Sequence, residues 1–210
     1  MTESSLFEQI AGEIYARGYC VYPNALPTEL ATALADEVRS RSEDQFRKAG
    51  IGRQDDHLKT EEIRRDEISW IDDSTAAGAQ WLNWTGELQQ AINRRLFLGL
   101  FSFESHFAHY RPGDFYKKHL DAFRGQQNRV LTVVTYLNPE WTPEDGGELL
   151  IYPEQGEEPM LRVAPEFGTL VVFLSEEFPH EVLPANCDRY SIAGWYRINS
   201  SDSQRIDPQS

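Results

Sequence analysis

The apolar positions in the first half of the chain recur mostly at helical intervals. Apolar residues four apart predict helices over residues 1–18, from residue 27 to Val38, and over residues 81–100. Two short β-like runs, at residues 20–22 and 68–71, interrupt this pattern. The part of the chain before residue 100 is therefore predicted to be mainly helical.

After Leu100 the pattern changes to short β-like runs, separated by turn signals such as Pro112-Gly113 and Gly146-Gly147. Several short strands at close spacing are typical of an antiparallel sandwich or a jelly roll. Helices followed by a run of strands predict an α+β fold. The predicted strands cover residues 101–110, 115–120, 129–137, 148–152, 168–174, 179–183 and 189–198.

Two segments lack a regular pattern. Residues 47–65 are polar and contain Gly50 and Gly52, so a mobile loop is predicted there. Long loops of this kind often act as lids over a binding site. The tail from Ser200 is rich in polar residues and is expected to fray.

Composition and charge limit the classes of function. The chain has 210 residues, which is long enough for one domain with a sizeable core. Its 34 acidic and 20 basic residues give a formal net charge of −14, which disfavours binding to nucleic acid or to an anionic membrane surface. Two cysteines, Cys20 and Cys187, exclude a disulfide framework and a four-thiolate zinc site.

The chain is expected to be a cytoplasmic protein. Its first residues lack the basic region and apolar run of a signal peptide. No stretch approaches the ~18 consecutive apolar residues of a membrane span. A single bridge between the two cysteines stays open as an alternative, and two buried thiols in a reducing compartment are the simpler interpretation.

Three residues are candidate metal ligands. His119 and Asp121 are two positions apart, so on a strand both side chains project to the same side. His180, at the start of a later predicted strand, can supply a third ligand. Two histidines and one carboxylate form the facial triad of non-haem Fe(II) oxygenases. The His-X-Asp pattern alone also fits a surface histidine next to an unrelated aspartate.

Arg189 adds a second requirement, nine residues after His180. A return hairpin brings this residue near the metal site, and a buried guanidinium needs an anion to pair with. Ser191, Ala193 and Trp195 share its strand face, and the small side chains leave room for a ligand. Residues 110–129 carry five basic and two acidic residues, a local positive field that favours a dicarboxylate.

Several longer stretches resemble one enzyme family. They are residues 110–121 (YRPGDFYKKHLD), 129–141, 146–153 and 179–196, with a fainter match at 63–70. The chain resembles the 2-oxoglutarate- and Fe(II)-dependent oxygenases. Within that superfamily it is similar to the prolyl 4-hydroxylases related to animal hypoxia-inducible-factor prolyl hydroxylases.

The resemblance implies roles for individual residues. His119, Asp121 and His180 would hold Fe(II), with 2-oxoglutarate as cosubstrate and ascorbate as a reductant. The distal carboxylate of 2-oxoglutarate would bind Arg189 and Tyr136. The residues implied around the rest of the cosubstrate are Tyr110, Leu149 and Val134. The residues implied on the substrate side are Trp195, Arg64, Asp66 and Arg129.

The resemblance also implies the organisation of the chain. A double-stranded β-helix, or jelly roll, over residues 100–198 would form the catalytic core, with the amino-terminal helices packed on one sheet. Residues 1–99 would support it and include a substrate loop at about residues 47–70. Residues 199–210 would form the frayed tail.

The implied activity is hydroxylation of a prolyl residue at its 4-position, coupled to conversion of 2-oxoglutarate and dioxygen to succinate and carbon dioxide. The substrate would be a protein with a proline in an exposed loop or extended segment, such as a translation or transcription factor. Oxygen sensing is a further role by analogy. Two alternatives remain: the same chemistry on a free amino acid or small metabolite, and a non-catalytic binding or sensor module. The intact triad and Arg189 argue against the second.

Other aromatic residues and histidines receive structural interpretations. His106 and His109 lie three apart on a predicted strand and face opposite sides, so one of them is expected to have no function. Trp70, Trp81 and Trp84 are predicted to be packing residues. His57, within the polar loop, is expected to be solvated.

Overall fold

The computed structural model describes residues 2–49, 62–122 and 128–199. Three α-helices occur in these ranges: α1 (Glu3–Arg17), α2 (Thr28–Ser40) and α3 (Ala76–Leu96). The strands are β1 (Tyr19–Tyr22), β2 (Arg47–Lys48), β3 (Glu67–Trp70), β4 (Leu100–Tyr110), β5 (Tyr116–His119), β6 (Arg129–Tyr136), β7 (Leu149–Ile151), β8 (Leu161–Val163), β9 (Leu170–Leu174), β10 (His180–Val182) and β11 (Arg189–Ile198).

The strands form two antiparallel sheets. The larger sheet has seven strands in the order β1-β9-β6-β11-β4-β3-β2, and the smaller has four in the order β5-β10-β7-β8. Within residues 100–198, earlier strands (β4 to β7) and later strands (β9 to β11) alternate in space, in the orders β9-β6-β11-β4 and β5-β10-β7, as they do when a long hairpin is wound into a double-stranded β-helix. The predicted α+β jelly roll is confirmed.

The seven predicted strands after Leu100 are all present, and their ends differ by at most two residues from the prediction. Two further strands, β2 and β8, were not predicted. Each has two or three residues and pairs with one neighbour, β2 with β3 and β8 with β7. Runs this short carry no readable alternation, so only the neighbouring strand reveals them.

Two helices match their apolar spacing closely. In α1 the buried positions include Leu6, Ile10 and Ile14, and Gly18 ends the helix in the left-handed conformation with φ 77°. Helix α2 begins after Pro27 and buries its apolar stripe in the same layer. Both helices therefore follow from local signals.

The third helix begins and ends earlier in the chain than its apolar spacing predicts. It begins at Ala76, because the Thr75 side chain accepts a hydrogen bond from the backbone N–H of Gly78 at 3.0 Å. It ends at Leu96, because the side chain of Asn93 bonds both backbone groups of Leu100 at 2.8 Å and starts strand β4. These bonds involve residues that lack apolar periodicity.

The main core lies between the larger sheet and the three helices. Alternate residues of the central strands face this layer and are almost wholly buried, among them Phe107, Leu131, Val172 and Ile192. The intervening residues face the smaller sheet, where Ala108, Val134 and Tyr136 belong to a second cluster. The period of two thus assigns one face of the sheet to the helices and the other to the interior of the jelly roll.

The central part of the predicted loop, residues 50–61, and the predicted frayed tail from Ser200 lie outside the described residues. His57 lies there as well. Among the helices that the structure describes, none is long and apolar enough to cross a membrane.

The core between α3 and the larger sheet predicts the effect of Leu88→Ala. The Leu88 side chain is wholly buried, so its truncation is expected to lower the free energy of unfolding by about 3 kcal/mol. Urea unfolding followed by circular dichroism measures this change. Gln90→Ala, an exposed position on the same helix, is the control and should change stability by less than about 0.5 kcal/mol. Equal effects of the two substitutions would contradict this assignment of the core.

Candidate active site

A cavity of about 330 Å³ lies inside the jelly roll, between the two sheets. Of the residues predicted for the site, all line this cavity except Tyr136, which packs against Arg189 instead. They come from β4, β5, β6, β7, β10 and β11, and from the segment that leads into β3. Positions that are far apart in the sequence therefore converge on one enclosed space.

The three candidate metal ligands meet because β5 and β10 pair antiparallel, with His119 directly opposite His180. Asp121 follows two residues after His119, just beyond the end of β5. The Nε2 atoms of His119 and His180 each lie 3.5 Å from a carboxylate oxygen of Asp121. One ligand atom from each residue lies within 4.8 Å of the others, a spacing that suits a single metal ion.

Backbone carbonyls orient both imidazoles. Nδ1 of His119 lies 2.8 Å from the carbonyl oxygen of Lys117, and Nδ1 of His180 lies 3.1 Å from that of Phe178. When each Nδ1–H donates to its carbonyl, the lone pair of Nε2 is left facing the shared point. Histidines that bind a metal are held in this way in many proteins.

The protonation states of these groups also suit a cation. Burial lowers the pKa of His180 to about 4, so its imidazole is neutral near neutral pH. Burial alone would raise the pKa of Asp121, but the imidazoles of His180 and His119 hold it well below its usual range. The cluster therefore offers an ionised carboxylate next to an imidazole with a free lone pair.

Arg189 places a buried positive charge at the other end of the cavity. Arg189 is 1% exposed. Its guanidinium lies 4.9 Å from the ring centroid of Tyr110 and 5.1 Å from that of Tyr136. Its Nε donates to the carbonyl oxygen of Gly147 at 2.8 Å, and Nη1 donates to Oγ of Ser191 at 3.2 Å. No carboxylate in the described parts of the chain forms an ion pair with it.

Gly147 contributes to the site, although its sequence pattern predicts only a turn. Its φ is +67°, in the left-handed region that favours glycine. A Cβ atom at this position would lie 3.1 Å from Cδ of Arg189 and 2.9 Å from Cβ of Ala185. The missing side chain thus lets the carbonyl group approach the guanidinium, and nothing in the local sequence distinguishes this from an ordinary turn glycine.

One buried donor beside the cavity, the hydroxyl group of Tyr136, lacks a hydrogen-bond acceptor among the described residues. Burial raises the pKa of Tyr136 to about 12, although the charge of Arg189 opposes the rise. The hydroxyl group therefore keeps its proton near neutral pH. A carboxylate bound at Arg189 would supply the acceptor that this donor lacks.

The Arg64–Asp66 pair forms part of the cavity wall. The guanidinium of Arg64 donates two hydrogen bonds to the carboxylate of Asp66, at 2.8 and 2.6 Å, and lies 4.2 Å from the ring centroid of Tyr116. Burial would lower the pKa of Arg64, but its bonds with Asp66 raise it above the usual value. This fixed ion pair closes one side of the cavity next to β5.

The basic residues of segment 110–129 do not form one positive patch at the cavity. Arg111 pairs with Glu43 and Glu67 at the surface. Arg129 reaches the cavity, yet it is paired with Glu104 at 2.9 Å and lies 3.7 Å from the ring of Trp195. Arg124 lies outside the described residues. Of the cavity-lining arginines, Arg189 therefore has the charge that is available to an anion.

His106 is a further residue of the cavity wall that the sequence did not predict for the site. His106 is buried, lines the cavity and lies between the rings of Trp70 and Trp195, at 5.3 and 5.5 Å between centroids. Burial lowers its pKa to about 4. His106 and Tyr110 are four residues apart on the predicted strand, so they share one face. This shared face was the signal that could have identified His106. His109, on the opposite face, pairs with Asp188 instead.

The interpretation of Trp70 as a packing residue is wrong, whereas it holds for Trp81 and Trp84. Trp70 is 53% exposed and lines the cavity at the edge of the larger sheet. Trp81 and Trp84 are buried and stack at 5.8 Å between ring centroids. A short strand with one face toward a cavity has the same apolar pattern as one with that face in a core.

Comparison with known proteins agrees with this geometry. A family model described as the 2OG-Fe(II) oxygenase superfamily matches residues 105–197. Egl nine homolog 1 of Homo sapiens is 30% identical over 190 residues, which cover 85% of this chain and 43% of that protein. The chain spans about half the length of the first curated relatives it matches, between 43% and 55%.

Two solved structures are similar over nearly the whole chain. A Pseudomonas putida prolyl-4-hydroxylase has a TM-score of 0.83 and 42% identity, and the match covers 92% of this chain and 100% of that chain. A prolyl hydroxylase from Trichoplax adhaerens, in complex with a hypoxia-inducible-factor oxygen degradation domain peptide fragment, has a TM-score of 0.79 and 26% identity, with 93% and 90% covered. The chain therefore belongs to the 2OG-Fe(II) oxygenase superfamily and, within it, to the prolyl hydroxylases.

Proposed function

We propose that this protein is a 2-oxoglutarate- and Fe(II)-dependent dioxygenase that hydroxylates a prolyl residue of a protein substrate at the 4-position. 2-Oxoglutarate would be converted to succinate and carbon dioxide in the same reaction. The observation that carries this proposal is the buried, anion-free Arg189 in one cavity with a two-histidine, one-carboxylate cluster. A site built in this way needs both a metal ion and a carboxylate ligand.

The donor set of the cluster fits Fe(II). His119, Asp121 and His180 would hold the metal through two imidazole nitrogens and one carboxylate oxygen, the set used by non-haem Fe(II) oxygenases. When bound, the iron and the keto acid supply the activation of dioxygen and the oxidising power of the reaction. The protein's own residues position both groups and keep bulk water away from them.

The opposite end of the cavity fits a dicarboxylate. Arg189 would bind the distal carboxylate of 2-oxoglutarate, and the unpartnered hydroxyl of Tyr136 would donate a hydrogen bond to it. Tyr110 would lie near the chelating end. Leu149 and Val134, both buried in the cavity wall, would contact the methylene groups of the cosubstrate.

The remaining side of the cavity would receive the substrate. Trp195, Arg129 and the Arg64–Asp66 pair line it, and the exposed ring of Trp70 adjoins them. The relative from Trichoplax adhaerens is a complex with a peptide fragment, which supports a protein substrate here. That substrate would present a proline in an exposed loop or extended segment, and a translation or transcription factor would meet this requirement.

Removal of one metal ligand tests the site. His119→Ala and Asp121→Ala are expected to reduce iron-dependent succinate formation to background, because each substitution removes one of the three protein ligands of the facial triad and weakens iron binding. Far-ultraviolet circular dichroism should show an unchanged fold. His109→Ala is the control, since His109 faces away from the cavity and pairs with Asp188. Full activity in both ligand variants would refute the assignment.

The buried charge of Arg189 leads us to expect that its substitution changes the KM for 2-oxoglutarate. Removal of one partner from a buried, hydrogen-bonded charge pair costs about 2–5 kcal/mol, so Arg189→Ala should raise the KM for 2-oxoglutarate at least about 30-fold. Arg189→Lys keeps the charge but loses the two-pronged geometry. Its KM for 2-oxoglutarate should lie between those of the unaltered protein and Arg189→Ala.

The control for this series is Arg162→Ala on β8, since Arg162 is a surface residue that pairs with Glu148. Its KM for 2-oxoglutarate should match that of the unaltered protein. An unchanged KM in Arg189→Ala would exclude the proposed role of the guanidinium.

The substrate class can be tested directly. Incubation of the protein with Fe(II), 2-oxoglutarate and a cell extract should add one oxygen atom to particular protein prolines, as detected by peptide mass spectrometry. Free L-proline under the same conditions should not be converted, because the cavity opens beside an exposed indole that suits a longer chain. Conversion of free proline without modification of any protein would favour the small-metabolite alternative.

A further inference from the structure

A buried hydroxyl group caps one oxygen of the candidate metal-binding carboxylate. Oγ1 of Thr132 donates a hydrogen bond to Oδ2 of Asp121 at 2.8 Å. Thr132 is 1% exposed and lies on β6, opposite Trp195 of the neighbouring strand β11. Neither the metal-ligand pattern nor the apolar alternation of β6 draws attention to this residue.

A second buried hydroxyl group, that of Ser175, lies within hydrogen-bond distance of the Thr132 hydroxyl group. Oγ of Ser175 lies 2.9 Å from Oγ1 of Thr132, and Ser175 is wholly buried. An ionised carboxylate can only accept hydrogen bonds, so Thr132 must give its proton to Asp121. Ser175 is then the donor to Thr132, and the order is Ser175 to Thr132 to Asp121. The backbone N–H of Ser175 is anchored on the carbonyl oxygen of Val130 at 3.0 Å, which fixes the start of this series.

The series has a consequence for coordination, and this consequence rests on the function proposed above. His119, Asp121 and His180 would hold a metal ion together, and the strength of that binding would depend on how the carboxylate is turned toward it. Oδ1 of Asp121 lies 3.5 Å from Nε2 of His119 and Oδ2 lies 3.5 Å from Nε2 of His180, so rotation of the carboxylate would move its oxygens away from the point that the three residues share. Hydrogen bonds to ligating carboxylates control their orientation in metalloproteins.

We propose that Thr132, supported by Ser175, is a positioning residue that fixes the orientation of the Asp121 carboxylate toward the metal through its hydrogen bond to Oδ2. Both hydroxyl groups are buried within the jelly roll and already form the hydrogen bonds that this role requires. The register of β6 against β11 places Thr132 next to Trp195, on the face of the larger sheet that lines the cavity with Asp121. The arrangement is therefore built into the sheet and does not depend on a mobile side chain.

The test measures the affinity of the metal-free, full-length protein for Mn(II), by the loss of the free-ion signal in electron paramagnetic resonance. Thr132→Val keeps the shape of the side chain and removes the hydroxyl group. It is expected to raise the Kd for Mn(II) about tenfold or more, the effect seen when a hydrogen-bond partner of a metal ligand is lost. Thr132→Ser retains the hydroxyl group and should stay within about twofold of the unaltered protein.

Thr135→Val is the matched control. Thr135 lies on the same strand and is equally buried, and its hydroxyl group donates to the carbonyl oxygen of Thr169 at 3.0 Å. It faces the opposite side of the sheet, so its loss should lower the thermal stability without changing the Kd for Mn(II). Ser175→Ala keeps Thr132 in place and should raise the Kd less than Thr132→Val does. This variant carries the test if Thr132→Val does not fold.

An unchanged Kd in Thr132→Val would overturn the proposal. An equal rise in Thr132→Ser or in Thr135→Val would also overturn it, because the effect would then come from packing and not from the hydroxyl group. Mn(II) binding does not require turnover. If the expected order of Kd values were found but no protein were hydroxylated, the proposed function would fail and the positioning role would stand.

Discussion

The register of β11 between β4 and β6 is the constraint on which the rest of the structure depends. It places Arg189 opposite Tyr110, Ala193 opposite both His106 and Val134, and therefore one set of side chains inside the jelly roll. Side chains on a strand alternate with a period of two, so a slip of one residue would exchange the two faces. Arg189 would then enter the helical core, and the buried apolar residues of the other face would fill the cavity.

This register gives the two faces of the larger sheet different roles: one packs against the helices, and the other lines the cavity. The face toward the helices is apolar and well packed, which supplies the stability of the sheet. The other face contributes Arg189, and the segment after β5 of the smaller sheet contributes Asp121, at positions where burial of a charge is unfavourable without a partner. A metal ion and an anion that bind only the folded state would offset part of this cost by mass action. Bound ligands would thus supply the partners that the buried charged side chains of the cavity require.

Much of this arrangement was predictable from the sequence, because alternation and turn residues are local signals. The strand ends, the His-X-Asp pair and the resemblance to prolyl hydroxylases all depend on short stretches of chain. The missed features depend on contacts between distant residues. The carbonyl group of Gly147 is important only because Arg189 lies against it. In the same way, Thr132 is important only because Asp121 lies within hydrogen-bond distance.

The origin of the positive potential in the cavity follows the same logic. The excess of basic residues near His119 suggested a local field, yet surface charges are screened by solvent and by their acidic partners, as for Arg111 with Glu43 and Glu67. A charge in a less polar interior acts more strongly, because the effective dielectric constant there is lower. Arg189 is buried and has no anionic partner in the described chain. One buried guanidinium therefore determines the preference for an anion more than several exposed basic residues do, even in a chain with a net charge of −14.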